Sequence, residues 1–102
     1  MKITGALPVP ISVLTGQKTV KCRDVIMSQI TVAQSLAAQS QLQTNQYIVL
    51  AELAAMTTLV GDDGHEYQLT YDALASTSRQ NLHALQSLAA ALDAKEQAES
   101  MS

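Results

Sequence analysis

Apolar and polar positions change their rhythm once along this chain of 102 residues. In the first quarter they alternate. Ile11 and Val13 are interleaved with Ser12 and Leu14, and Val20 and Cys22 with Lys21 and Arg23, which is the period of strands. Thr15-Gly16-Gln17-Lys18 between them supplies turn chemistry, so residues 1–27 are expected to hold a short β-hairpin, with Val25-Ile26-Met27 prolonging its second strand or leading into a helix. From Thr31 the period lengthens. Thr31-Val32-Ala33-Gln34 matches a capping box, in which the Thr hydroxyl and the Gln side chain satisfy each other's orphan backbone donors. The helix it opens has a thin apolar stripe, Val32, Ala33, Leu36 and Ala37, and is expected to fray in the polar run from Gln39 to Thr44. Asn45 is a suitable cap for a second helix over Tyr47–Val60, stopped by Gly61. That segment is apolar almost all the way round, which places it in a core or between copies.

Asp62-Asp63-Gly64 reads as a turn, His65 to Leu69 as a short extended connector, and Thr70 and Asp72 as the start of one helical turn carrying Leu74 and Ala75. Ser76 or Thr77 then caps a last helix from about Ser78 to about Glu96. In it Leu82, Leu85, Ala89 and Leu92 share one face, with Leu88 beside them, while His83, Ser87 and Ala94 point the other way. The stripe is too short for an extended coiled coil. The expected fold is α+β, mostly α: a short N-terminal β-hairpin followed by a small bundle of about three helices. It forms a single domain in which 1–27 is the β element, 28–94 the helical part and 95–102 a polar, disordered tail.

Composition narrows the classes of function. There is no Phe and no Trp, so the core must be built from Leu, Ile, Val, Met and Ala. Charged residues are 15% of the chain, against about a quarter in ordinary domains, and a weakly charged surface suits self-association or burial in an assembly. The net charge is −3 with six Lys and Arg. Nucleic acid is therefore not an expected partner, because affinity for it is built on clustered cations. A single cysteine, Cys22, excludes an internal disulfide framework and fits a reducing compartment. The N-terminal apolar stretch is broken by Gly5, Pro8 and Pro10, unlike a secretory leader, and Tyr47–Val60 is shorter than the roughly 20 residues of a membrane span. A cytoplasmic protein without membrane contact is expected.

Candidate chemistry is sparse. Asp62, Asp63, His65 and Glu66 are the only clustered metal-ligand types, and their spacing matches neither a calcium loop nor a zinc site. Cys22 lies inside an alternating strand, where a small buried hydrophobe is expected rather than a nucleophile. The four glycines are scattered and form no phosphate-binding loop. No metal, cofactor, small-molecule substrate or catalytic residue is expected. If the chain binds protein, the candidate residues are Tyr47 and Leu50 on the middle helix and Leu85, Leu88, Ala90, Leu92 and Ala94 on the last one, because so few charges interrupt the apolar area there.

The order of features from Val20 to Lys95 resembles the tail assembly chaperones of Mu-like contractile-tailed phages and prophages. A short β element is followed by the lead-in Arg23-Asp24-Val25-Ile26-Met27-Ser28-Gln29-Ile30 to the Thr31-capped helix. A middle helix ends in Leu59-Val60, the step Leu69-Thr70-Tyr71-Asp72-Ala73-Leu74 comes next, and a terminal helix carries Leu82, Leu85 and Leu88. The chain departs from the pattern at Gln29-Ile30, where members often have a proline or an acidic residue. The resemblance implies a non-enzymatic assembly factor in the bacterial host cytoplasm. It would bind the phage tape measure protein, assist assembly of the tail tube protein around it, and be absent from the finished particle. The alternative is a small structural tail or connector protein that stays in the particle. Self-association into a homo-oligomer is expected in either case.

Overall fold

The computed structural model describes residues 1–101. Its N-terminal part is a long hairpin of β1 (Lys2–Thr15) and β2 (Lys18–Ser28), with Thr15 paired to Lys18 across Gly16-Gln17. Gly16 has a φ of +61°, which an L side chain resists and which the first position of a type II′ hairpin turn requires. After the hairpin come α1 (Val32–Ser40), α2 (Ile48–Met56), β3 (Thr57–Gly61), β4 (Glu66–Gln68), α3 (Tyr71–Ser76) and α4 (Arg79–Met101). The four strands form one antiparallel sheet in the order β1-β2-β3-β4.

The chain is therefore not a short β-hairpin followed by a small bundle of about three helices. The largest departure lies at Tyr47–Val60. The helix there begins at Ile48 and ends at Met56, and Thr57-Thr58-Leu59-Val60 continues as a strand. Consecutive β-branched residues lose rotamer freedom in a helix and fit a pleated surface. Here they pair Thr57, Thr58 and Leu59 with Met27, Ile26 and Val25 of β2. Thr57 makes the change of direction: it is fully buried, and its hydroxyl donates to the Leu53 carbonyl at 2.7 Å. Asn45 does not cap α2. It takes a φ of +73° in the preceding loop, and Tyr47 is the cap residue, without a side-chain cap bond. At the other end of the chain, 95–101 is the continuation of α4 rather than a disordered tail, as Lys95, Glu96, Gln97 and Ala98 are all strong helix formers. Ser102 lies outside the described residues.

One face of the sheet is covered. Leu7, Ile11, Val20, Cys22, Val25, Met27 and Leu59 point from it into the core, where they meet Leu85 and Leu92 of α4, Leu53 and Ala54 of α2, Leu74 of α3, and Leu69. Helix α4 lies along β1 and approaches it closely at Gly5, where an added Cβ would stand 2.6 Å from Leu88 Cδ1. Strand β1 is irregular between Ala6 and Ile11, where Pro8 and Pro10 have no N–H to give to the ladder. Asn81 of α4 repairs the gap. Its side chain accepts from the Val9 N–H at 3.0 Å and donates to the Val9 carbonyl at 2.7 Å and to the Thr77 hydroxyl at 2.8 Å.

Candidate functional site

Helix α1 carries the capping box of its sequence: the Thr31 hydroxyl accepts from the Gln34 N–H at 3.1 Å, and the Gln34 side chain accepts from the Thr31 N–H at 2.8 Å. It packs chiefly on α2 and buries none of its residues. The half-buried positions of its inner face are Ser35, Ala38 and Gln39. Ser35 donates to the Glu52 carboxylate of α2 at 2.6 Å and Gln39 donates to it at 3.4 Å. The inward positions are thus mostly polar, while Val32 is 78% and Leu36 57% exposed, with Ala33 and Ala37 exposed beside them and Gln34 and Ser40 exposed as well. This departs from the usual arrangement, in which the apolar stripe faces inward. The segment also carries no charge: residues 25–51 contain no Asp, Glu, Lys, Arg or His.

A cleft lies on either side of α1. The larger, about 580 Å³, has a mixed lining, with the amides of Gln34, Gln41, Gln43, Gln46 and Gln68 set among Ile30, Leu42, Leu69 and several alanines. The smaller, about 350 Å³, opens between α1, α2 and α4. It is lined by Val32, Val49, Leu53, Met56 and Ala89 and rimmed by Gln29, Glu52 and Asp93. Both rim carboxylates are already engaged, Glu52 by Ser35 and Gln39, and Asp93 by the Gln29 amide at 2.6 Å. Val49 stands at this groove with 54% of its surface exposed. Its apolar lining and open side match the requirements for receiving apolar side chains of another chain.

The candidate partner residues do not form one surface. Leu85 and Leu92 are fully buried against the sheet, and Leu88 is half-buried over Gly5, so the leucine stripe is core and offers nothing to a partner. Leu50 is half-buried against the core. Tyr47 is 69% exposed, with its backbone N–H donating to the Tyr71 hydroxyl at 2.8 Å. Ala90 and Ala94 are exposed on α4, each one position beyond the groove residues Ala89 and Asp93. Val32, Leu36 and Val49 were not among the candidates, because an apolar stripe on a helix is ordinarily its inner face. The uncharged run from 25 to 51 is the signal that marks them.

The groups with chemical potential lie elsewhere. Cys22 is fully buried, and its thiol is pushed up by burial and then by the charges of Asp63 and Asp62, which disfavours the nucleophilic thiolate. Asp63 organises the β3–β4 turn, accepting from the Tyr67 hydroxyl at 2.7 Å and from the His65 N–H at 3.0 Å. These bonds lower its carboxyl to about 2, the Tyr67 bond contributing most, and the same bond pushes Tyr67 up to about 12. His65 and His83 are exposed. Among the described residues no group of three or more His, Cys, Asp or Glu could hold a metal ion, and no helix is long and apolar enough to cross a membrane.

Comparison with known proteins finds no family model, no curated protein and no solved structure that matches the chain. Of the features that carry the resemblance to phage tail assembly chaperones, the Thr31-capped helix and the Thr70-capped turn are present as helices, while Leu59-Val60 belongs to β3 and not to the end of a helix.

Proposed function

We propose that this protein is a non-catalytic tail assembly chaperone that holds apolar helical segments of a phage tape measure protein in the groove between α1, α2 and α4, and so assists assembly of the tail tube around it. The observation that carries the binding reading is the outer surface of α1: Ser35 and Gln39 are tied to Glu52, and Val32 and Leu36 are left in solvent beside an apolar groove, which is an arrangement for a partner. Isolated surface leucines are ordinary, but a contiguous apolar area without charges marks an interaction site. The identity of the client rests on the order of sequence features that resembles the chaperone family. The long tape measure helix is a client of suitable chemistry, since an amphipathic helix docks in such a groove through two or three apolar anchors.

Co-expression with the tape measure protein followed by pull-down at low and high salt tests this. The complex should survive high salt, because apolar burial is not screened whereas exposed ion pairs are, over a Debye length of about 8 Å at physiological ionic strength. Val49→Asp should abolish it, by placing a carboxylate over Leu53 and Met56. A complex that dissolves as salt rises, or none at either salt, defeats the proposal and favours a structural subunit that remains in the particle.

A further inference from the structure

We propose that residues 30–46, with α1 at their centre, form a flap that swings off α2 as one unit and is held shut by the Glu52 carboxylate. Both ends of the segment are pinned. At one end the Gln29 N–H donates to the Met1 carbonyl at 3.2 Å, closing the β1–β2 ladder, and its side-chain amide donates to Asp93 of α4 at 2.6 Å. At the other, the Tyr47 N–H donates to the Tyr71 hydroxyl at 2.8 Å, and the Tyr47 carbonyl accepts from the Ala51 N–H of α2 at 3.2 Å. Between these pins none of residues 30–46 is buried, so little apolar burial opposes their lifting. The capping box of Thr31 and Gln34 is internal to the segment and travels with it.

What holds the segment down is polar and converges on one group. Ser35 donates to Glu52 Oε1 at 2.6 Å, Gln39 reaches the same oxygen at 3.4 Å, and Gln39 also donates to Ser35 Oγ at 3.4 Å. Glu52 stands on α2 beside Leu53 and Ala54, which are fixed in the core, so the acceptor sits on the rigid part and both donors on the moving part. Bonds to a carboxylate are the strong ones, and losing them frees the helix. Helix α2 is also a wall of both clefts beside α1, through Ala51 and Ala55 in the larger and Val49 and Met56 in the smaller. With the flap raised, the two become one trough along the nine residues of α2, roughly 13 Å long. The motion does not rest on the client reading.

Native-state amide hydrogen exchange of the full chain alone, followed residue by residue by NMR, decides the matter, and no client enters the experiment. A nine-residue helix lifted off its neighbour is marginal in water, as are isolated helices below about 12–15 residues, so the amides from Ser35 to Ser40 exchange whenever the flap is up. They should share one protection factor, at least about tenfold below the slowest amides of α4 and the sheet, which report global opening. Ser35→Ala then tests the sign. Alanine is the better helix former, so a helix that merely frayed in place would exchange more slowly in this variant. Loss of the bond to Glu52 should instead speed exchange of α1 by roughly fivefold to fiftyfold, and Glu52→Ala, which removes the acceptor of both donors, should speed it at least as much. Amides of α1 as slow as those of α4, protection graded along α1, or exchange in Ser35→Ala that is slower or unchanged would overturn the proposal.

Discussion

Two side chains hold together parts of the backbone that the regular ladders leave loose. Asn81 occupies both hydrogen-bonding groups of Val9 in the stretch flanked by Pro8 and Pro10, and it is fully buried. Asn81→Ala removes these bonds, at a cost of about 0.5–1.5 kcal/mol for each, since Val9 is itself exposed and water can reach its backbone groups. Urea denaturation should show a loss of stability of that order, and an unchanged midpoint would mean that β1 is not tied to α4 in this way. Asp63 does the corresponding work in the β3–β4 turn. Its carboxyl is lowered from 3.8 to about 2 in the folded protein, so the stability it contributes is present above about pH 4 and is lost as pH falls towards 2. The raised Tyr67 has the opposite window: its contribution is present below about pH 10 and is lost as pH climbs through about 12. Tyr67→Phe removes the leading cause of the Asp63 shift. The Asp63 midpoint, followed by NMR, should rise towards the ordinary carboxylate value, and a midpoint that stays near 2 would refute the assignment.

Helix α2 joins the two halves of the molecule, since it turns Leu53 and Ala54 into the core and continues without a loop into β3. Leu53→Asp therefore buries an unpaired carboxylate. That costs several kcal/mol, against a typical domain stability of about 5–15 kcal/mol. Thermal unfolding by circular dichroism should show a variant that is unfolded or melts far below the wild type. Val49→Asp, four residues earlier on the exposed side, should change stability by no more than about 0.5 kcal/mol. Equal behaviour of the two variants would show that the burial pattern of this helix is wrong. The element also shows where the sequence was legible. The Thr31 capping box, the turn at Gly16-Gln17 and the leucine face of α4 were readable because each is set by residues within a turn or two of one another. The Thr57–Gly61 strand was not, because its partner is β2, some thirty residues back, and an apolar run beginning at Tyr47 reads equally well as one long helix.

At the scale of the whole molecule, the layers stack as sheet, then α4 and α2, then α1. The position of α1 was hidden in the sequence for the same reason as β3: what decides which side of the helix faces inward is Glu52, seventeen residues from Ser35 and on another element. Amphipathic periodicity states only that a helix has two sides. Partners named from the leucine stripe consequently fell on the core, while the exposed positions lay on a helix whose stripe looked too thin to matter. Tyr47, Ala90 and Ala94 remain at the surface, outside the lining of the groove.

The clasp between Asn81 and Val9 has a consequence for how the chain reaches this state. Strand β1 needs α4, which begins about sixty residues later, so much of the hairpin's inner face stays uncovered while the intervening elements are being synthesised. During those seconds on the ribosome Leu7, Ile11, Val20 and Met27 are open to other nascent chains, at a synthesis rate of about 5–20 residues per second. The two prolines of β1 blunt its free edge against strand pairing in that interval. Closure is then a long-range event, of the kind that slows folding relative to a bundle built from neighbouring helices.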